Sequence, residues 1–248
     1  MITLKSGEEI ELMRYANRVV AEVWELMKEL AKPGVTTKYL DRKAEDFIRK
    51  RGCKPAFKGY YGYPATICAS VNNQVVHGIP GNYSLKEGDI LSVDVGTIYK
   101  GYYGDGAVTI PIGKVKKIHQ KLIDVTRNAL NRGIEVARAG NRIGDISHAI
   151  QNYVEKNGFS VVRDFVGHGI GRELHEDPQV PNFGEPGRGE KLMKGMTIAI
   201  EPMVNEKGYG VKIERDGWTV VTKDGGYSAH FEHTILIKED GAEILTRV

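Results

Sequence analysis

The chain has 248 residues, of which 41% are hydrophobic and 27% charged, and its formal net charge is +3 at pH 7. This composition is typical of an ordinary globular protein that can bury a sizeable core, and the charge is too small to indicate nucleic-acid binding by itself. The two cysteines, Cys53 and Cys68, form no CxxC motif, which excludes a zinc ribbon and a disulfide framework.

The N-terminal stretch MITLKSGEEIELMRYAN is charged and amphipathic and lacks the apolar segment of a secretory signal. No apolar run along the chain approaches 18 residues. We therefore expect no membrane span and a cytoplasmic location.

Two helices are predicted at the start of the chain. Apolar residues at helical spacing indicate a helix over residues 8–31, which Pro33 and Gly34 end. A second helix follows over residues 36–51, with Thr36 or Thr37 as its N-cap.

Strands follow in the middle of the chain. A loop rich in Gly and Tyr (58–64) leads into a β-like run at 65–71, and the HGIPG segment at 77–81 interrupts the chain again. Two β-branched, apolar segments at 89–99 and 102–112 predict strands, and Lys100-Gly101 between them suits a hairpin turn.

The second half repeats the order of helices and strands. Helices are predicted at 115–138 and 143–157 after a seam at 111–113, then a Gly- and Pro-rich loop at 181–191, and a strand-rich region from Thr197. Because helices and strands do not alternate singly, the sequence predicts an α+β fold.

Two stretches of the chain are similar at an offset of 106 residues. Residues 31–52 align with residues 137–158, and farther on KEGDILSVD (86–94) lies over KGMTIAIE (194–201), which aligns Asp94 with Glu201. We expect one catalytic domain over residues 1–248 with half-repeats at about 1–112 and 113–248, packed about a pseudo-twofold axis. Such an arrangement brings one carboxylate from each half to a shared centre, where they repel unless a metal or a proton lies between them.

Acidic residues interrupt apolar strands at several places. Asp94 and Asp105 lie on the two arms of the predicted hairpin, so they can face each other, although one could instead cap a turn and the other pair with a lysine. Glu201 in TIAIEPM and Glu232 in AHFEHTILI also interrupt β-like runs. His168 lies between glycines in VGHGIG, which by itself is a weak signal.

Four carboxylates and one imidazole form a hard oxygen and nitrogen ligand set without thiolate. Such a set suits Mn, Fe, Co or Zn, and two ions where carboxylates bridge them. Two metals about 3.5–4 Å apart can activate a shared hydroxide, which is the chemistry of a hydrolase.

Five separate segments resemble the signature segments of the type I methionine aminopeptidases, in the family's order. They are SVNNQVVHGIP (70–80), LSVDVG with GYYGDGA (91–107), GHGIGRELHEDPQV (167–180), IEPMVN (200–205) and FEHTILI (231–237). The resemblance covers the chain from about Ile2 to the last strand, and it implies the duplicated α+β architecture called the pita-bread fold.

The resemblance also implies roles for individual residues. The implied ligands of two divalent ions are Asp94, Asp105, His168, Glu201 and Glu232, with Asp105 and Glu232 bridging. Glu201 would also take a proton from the bridging water. His175 would hydrogen-bond the scissile carbonyl, and His77 would position the peptide nitrogen beside the leaving group.

The resemblance further implies a pocket for the methionine side chain, lined by Tyr60, Cys68, Leu174 and Trp218. These side chains are apolar or soft, as an unbranched thioether needs, and Leu174 stands where some members have Phe. Cys68 can equally be read as a small buried hydrophobe. The expected partners are N-terminal methionyl peptides and nascent chains, with the ribosome surface as a further contact, and a monomer is expected.

Other functions remain to be distinguished. A related pita-bread peptidase would cleave Xaa-Pro bonds, and a binding protein could keep the fold without catalysis. A dinuclear phosphoesterase would use similar ligands, but its motifs are absent from the sequence. Release of methionine from Met-Gly-Met with added Mn or Co, compared with an Xaa-Pro peptide, separates these possibilities.

Overall fold

The computed structural model describes residues 2–248, and these residues form four α-helices and fifteen mostly short strands. The helices are α1 (Gly7–Leu30), α2 (Thr37–Lys50), α3 (Lys117–Val136) and α4 (Ile143–Lys156). The strands of the first half are β1 (Lys54–Pro55), β2 (Ile67–Val71), β3 (Gln74–Val76), β4 (Ile90–Tyr99) and β5 (Tyr102–Pro111). Those of the second half are β6 (Ser160–Val161), β7 (Gly167–Gly169), β8 (Glu176–Val180), β9 (Thr197–Ile200), β10 (Met203–Asn205), β11 (Val211–Ile213), β12 (Val220–Thr222), β13 (Ser228–His230), β14 (His233–Ile237) and β15 (Ala242–Ile244).

Helix ends lie within two residues of the predicted ones, and side-chain caps define the starts of α1 and α2. Ser6 caps α1 with its hydroxyl on the Glu9 N–H, and the Glu9 carboxylate returns a bond to the Ser6 N–H. Thr36 caps α2 through the Tyr39 N–H, which decides between the two candidate caps.

Strands β4 and β5 form the predicted hairpin. Their ladder runs from the pair Ile90 and Pro111 to the pair Tyr99 and Tyr102. The two turn residues, Lys100 and Gly101, both have positive φ (47° and 84°), as a type I′ turn requires. Helix α1 packs across the hairpin, where the Thr97 hydroxyl donates to the Ala16 carbonyl over 2.9 Å.

All strand pairs between residues 2 and 248 are antiparallel and belong to four sheets. The first holds β1, β2, β4 and β5, and a five-stranded sheet has the order β15-β14-β9-β7-β8. The other two have three strands each, in the orders β13-β10-β6 and β11-β12-β3. Helices and antiparallel sheets segregate along the chain, which confirms the α+β prediction.

Two chain segments in the second half change sheet together. Strands β9 and β14 pair in the five-stranded sheet, and the strands next to them in sequence, β10 and β13, pair in a three-stranded sheet. The two residues at each joint are Glu201-Pro202 and Phe231-Glu232, which lie outside the strands. The change of sheet therefore places both glutamates in the interior.

No helix between residues 2 and 248 combines the length and the apolar character needed to cross a bilayer.

Candidate active site

One cavity of about 360 Å³ is lined by all of the residues predicted to form a site. They are Tyr60, Cys68, His77, Asp94, Asp105, His168, Leu174, His175, Glu201, Trp218 and Glu232. A larger depression of about 850 Å³ lies beside the 181–191 loop and contains none of them. The convergence of polar groups, and not cavity size, identifies the candidate site.

Asp94 and Asp105 lie diagonally on one face of the hairpin. Asp94 is opposite Ala107 and Asp105 is opposite Gly96, so both acids project from the same side of the ladder. The two acids are thus close on one face, as predicted, but they are diagonal neighbours and not directly opposite each other. Helix α1 fixes this region, since the Asn17 side chain accepts a hydrogen bond from the Asp105 N–H.

His168 on β7 presents its Nε2 atom to the acids. Its Nδ1 lies 2.9 Å from the Gly169 carbonyl, to which Nδ1–H donates, so that Nε2 keeps a free lone pair. Nε2 lies 3.5 Å from Glu201 Oε1 and 3.7 Å from Asp105 Oδ2. Burial lowers the pKa of His168 to about 3, so the imidazole is neutral, as a metal ligand must be.

Glu232 is held by the hairpin of the first half. Its N–H donates to the Ala107 carbonyl over 2.9 Å, and the nearby Thr234 hydroxyl donates to the Asp105 carbonyl over 2.8 Å. Glu201 is held from the other side, where the Asn182 amide donates to its carbonyl over 3.0 Å. Acids from both halves of the chain therefore converge.

The four carboxyls are crowded enough to resist ionisation. Burial raises the pKa of Asp94 to about 7 and of Glu201 to about 8. Burial, reinforced by the neighbouring acids, also raises the pKa of Asp105 and Glu232 well above the usual range.

Several of these oxygens lack a partner. Among the described residues, no hydrogen-bond donor reaches Asp94 Oδ1, Asp105 Oδ1 or Glu232 Oε1, although all three atoms are buried. Ligand atoms of Asp105, His168 and Glu232 lie within 4.8 Å of one another. Buried, unpaired carboxylate oxygens beside a neutral imidazole fit a divalent cation, which favours the charged form of each acid.

His230 is a buried residue of this cluster that the sequence reasoning missed. Its Nε2 lies 3.6 Å from Glu201 Oε2 and 3.9 Å from Glu232 Oε2. In the sequence, the alternation that turns Phe231 and His233 away from Glu232 also puts His230 on the same face as Glu232. This spacing of two residues is the signal that could have identified His230.

His77 stands at the edge of the cavity in a strained backbone conformation. Its φ is +59°, a value that non-glycine residues adopt rarely. The next residue is fixed on both sides, because the Gly78 N–H donates to Ser70 Oγ and its carbonyl accepts from the Ala69 N–H. Burial lowers the pKa of His77 to about 4, so its ring is neutral near pH 7.

His175 lies between the cluster and the apolar part of the cavity. Its ring centre is 4.4 Å from that of His168, and its Nδ1 is 2.9 Å from the Tyr60 hydroxyl. A hydroxyl that donates to Nδ1 leaves the proton of the neutral ring on Nε2. Burial lowers the pKa of His175, which favours this neutral form.

The rest of the cavity is apolar. Cys68 is directly opposite Asp94 across the β2–β4 ladder, and burial raises the pKa of its thiol well above the usual range, so it stays neutral. Trp218 packs edge-on against Tyr63 at 5.1 Å. The sequence reasoning missed four further lining residues, which are Phe57, Tyr61, Tyr63 and Val76. The only sequence signal for these four residues is that they lie near the motifs along the chain.

Comparison with known proteins assigns a family. The model of a protein family described as "Metallopeptidase family M24" matches residues 11–239. A methionine aminopeptidase of Clostridium perfringens is 57% identical over all 248 residues and its whole length. Methionine aminopeptidase 1 of Bacillus subtilis is 53% identical, again over the full length of both chains.

Solved structures agree with this assignment. A methionine aminopeptidase from Thermotoga maritima superposes with a TM-score of 0.99 at 51% identity, with both chains fully covered. A prolidase from Pyrococcus furiosus, at 23% identity, superposes with a TM-score of 0.81 over 99% of this chain and 65% of its own, which shows a common fold only. The prediction of a pita-bread fold is confirmed.

Proposed function

Because this chain belongs to metallopeptidase family M24, we infer that it is a metallo-aminopeptidase that removes the N-terminal methionine from proteins and peptides. The observation that carries this inference is full-length identity of up to 57% to methionine aminopeptidases. The cavity supports it, because four acids and an imidazole lie beside an apolar pocket.

The family uses divalent metal, and the donor set of this chain fits it. We propose that Asp94, Asp105, His168, Glu201 and Glu232 would hold two ions, of Mn, Fe, Co or Zn, with Asp105 and Glu232 available to both. When bound, the metal would lower the pKa of a water molecule and polarise the peptide carbonyl. The buried and unpaired oxygens of the acids support this assignment.

Three side chains have proposed tasks in the reaction. Glu201 accepts the proton of the attacking water. His175 donates from Nε2–H to the carbonyl oxygen as negative charge develops there, and the bond from Tyr60 supports this tautomer. His77 lies beside the leaving nitrogen and orients the peptide.

The methionine side chain is proposed to bind among Tyr60, Cys68, Leu174 and Trp218. Leu174 and Cys68 are almost fully buried, and none of the four carries a charge. Such a wall favours an unbranched thioether and rejects a charged side chain, which would lose its water without gaining a partner. The free amine of the substrate, held beside the acid cluster, would limit cleavage to the first residue.

We also propose that the site lies between two related halves, at about 1–112 and 113–248, of one domain. Matching backbone features at the repeat offset support this. The Gly34 N–H donates to the Leu85 carbonyl, and the Gly140 N–H to the Leu192 carbonyl. Three aligned glycine pairs also have positive φ values, namely Gly34 and Gly140 (90° and 96°), Gly52 and Gly158 (72° and 85°), and Gly88 and Gly195 (92° and 91°).

A cytoplasmic location, a monomeric state and contact with the ribosome surface remain parts of the proposal. Light scattering during size-exclusion chromatography and co-sedimentation with ribosomes would test the last two.

A peptide panel tests the function. We expect release of methionine from Met-Gly-Met with added Mn or Co, and much slower release when the second residue is bulky, because it crowds the cleft near His77. Leucine at the first position should be removed weakly, since one changed apolar contact discriminates by only about 1–3 kcal/mol. Efficient removal of a charged first residue, or of methionine before Arg as fast as before Gly, would contradict the pocket. Preferential cleavage of an Xaa-Pro peptide would identify the prolidase-like alternative.

A further inference from the structure

His230 is a buried imidazole beside the proposed ligands to which the mechanism above gives no task. Only 1% of its surface is exposed, and its Nε2 has no hydrogen-bond partner among residues 2–248. Ligand atoms of His230, Glu201 and Glu232 lie within 4.8 Å of one another. An unpaired nitrogen in such a place costs stability unless it gains a partner in the working protein.

The backbone of His230 is fixed from the opposite side. The Thr109 hydroxyl accepts from the His230 N–H over 2.9 Å and donates to the His230 carbonyl over 2.8 Å. Ser92 Oγ lies 2.9 Å from the same hydroxyl, to which it donates. His230 also pairs with Met203 in the β10–β13 ladder. These contacts fix the direction in which the ring enters the cluster.

The Glu201 carboxylate lies between two imidazoles. Its Oε1 is 3.5 Å from Nε2 of His168, and its Oε2 is 3.6 Å from Nε2 of His230. Nε2 of His168 carries a lone pair, because its Nδ1–H is used by the Gly169 carbonyl. Carboxylate oxygens of Glu201 and Glu232 lie 3.6 Å and 3.9 Å from Nε2 of His230. An ionised carboxylate only accepts hydrogen bonds, so a proton on this nitrogen attracts these oxygens and a lone pair would repel them.

We propose that His230 is a positioning residue, whose Nε2–H donates a hydrogen bond to Oε2 of Glu201 and keeps Oε1 on the side of His168. This proposal rests on the proposed function, because it assigns to Glu201 the tasks of ligand and proton acceptor. Hydrogen bonds to a ligating carboxylate fix its orientation. The two atoms lie 3.6 Å apart, so the proposed hydrogen bond requires one of the two side chains to move closer by a few tenths of an ångström.

Two substitutions of His230 test the proposal by calorimetric titration of the metal-depleted protein with Mn(II). His230→Leu removes the donor, and we expect Mn(II) affinity to fall by about 10–100-fold, as is usual for loss of such a partner. His230→Gln keeps an N–H that can reach the same oxygen, so we expect most of the affinity to remain. His119→Leu is the matched control, because it removes another buried imidazole that stacks on Tyr227 outside the site.

The outcomes separate the possible roles of His230. Unchanged Mn(II) affinity in His230→Leu would overturn the proposal, and so would an equal loss in both variants, since Nε2 would then act as a metal ligand. Nitrogen NMR of the Zn-loaded wild type needs no variant: a protonated Nε2 on His230 supports the proposal, and an unprotonated one overturns it.

Methionine release from Met-Gly-Met is measured in parallel. A wild type that binds Mn(II) but releases no methionine would refute the proposed function, while the titrations and the NMR signal still decide the role of His230.

Discussion

Asp105 and Glu232 are the two most deeply buried acids of the cluster, at 4% and 2% exposure. Each is almost fully buried, and each has an oxygen without a donor among the described residues. Their pKa values are raised by burial first and then by the charges of neighbouring acids of the cluster. These features support the proposed role of the two side chains as ligands of a cation.

We expect Asp105→Asn and Glu232→Gln each to abolish methionine release and to lower the number of bound ions, because each acid is proposed to serve both. The fold should survive, since removing one acid relieves repulsion in the metal-depleted cluster. Calorimetric titration with Mn(II) and an activity assay test this. Asp46→Asn, at an exposed position of α2, is the control. Binding of two ions in either variant would contradict the shared role.

Substitutions of His175 and Tyr60 should affect turnover more than metal binding, unlike those of Asp105 and Glu232. We expect His175→Ala to lower kcat by about 10²–10³-fold, the usual effect of losing one oxyanion donor, and to change Mn(II) affinity little. Tyr60→Phe should lower kcat less, because it removes only the hydroxyl that is proposed to support the tautomer of His175. Steady-state kinetics beside metal titration would show this order. Near-normal kcat in His175→Ala would make His175 a structural residue.

At the level of elements, the packing of α1 on the β4–β5 hairpin positions Asp105. Gly104 touches the helix so closely that an added Cβ would lie 2.7 Å from the Ala16 carbonyl carbon and 2.7 Å from the Asn17 nitrogen. These are backbone atoms, so neither side can yield without shifting an element.

We therefore expect Gly104→Ala to lower the free energy of unfolding by about 1–3 kcal/mol, the usual cost of overpacking. It should also weaken Mn(II) binding, since Asp105 is the next residue. Gly7→Ala is the control, because no atom lies within 4 Å of its added Cβ. Urea unfolding of both variants measures the difference. Equal stability of Gly104→Ala and wild type would show that α1 does not constrain the hairpin.

The sequence predicted the elements whose signals are local. Capping by Thr36, the Lys100-Gly101 turn and the long apolar strands all depend on neighbours in the chain, so their bounds were found within two residues. The division into four sheets depends on partners far apart in sequence, such as β9 with β14, and was not predicted. The same reason explains why His230 and the bond between Tyr60 and His175 were missed. The five motifs, in contrast, contain the five proposed metal ligands together with His77, Leu174 and His175.

For the molecule as a whole, the acid cluster links stability to pH. The folded-state pKa values of Asp94 and Glu201, raised by burial to about 7 and about 8, exceed those of the unfolded chain. Protonation of these groups therefore stabilises the fold at low pH, and this contribution is lost as pH rises through 7 and 8. The buried histidines His77 and His168 have lowered pKa values, so they act in the opposite direction, but only below about pH 6.5.

We expect the free energy of unfolding of the metal-depleted protein to fall between pH 7 and pH 8. Added Mn(II) should stabilise more at pH 8 than at pH 7, because fewer protons must be displaced. Urea unfolding with a chelator and with Mn(II) measures both trends. Glu201→Gln should reduce the fall in the free energy of unfolding between pH 7 and pH 8. A free energy of unfolding that rises over this pH range in the metal-depleted protein would contradict the raised pKa values of Asp94 and Glu201.

The distribution of the acids over both halves of the chain has a consequence for biosynthesis. Asp94 and Asp105 emerge from the ribosome early, on a hairpin whose partners Glu201 and Glu232 do not yet exist. Until then the two acids can stay hydrated, and they form no cluster that could retain an ion. Because the contacts that close the cluster are distant in sequence, they form late in folding. An ion held with full affinity would therefore mark a chain whose synthesis has passed Glu232 and whose two halves have come together.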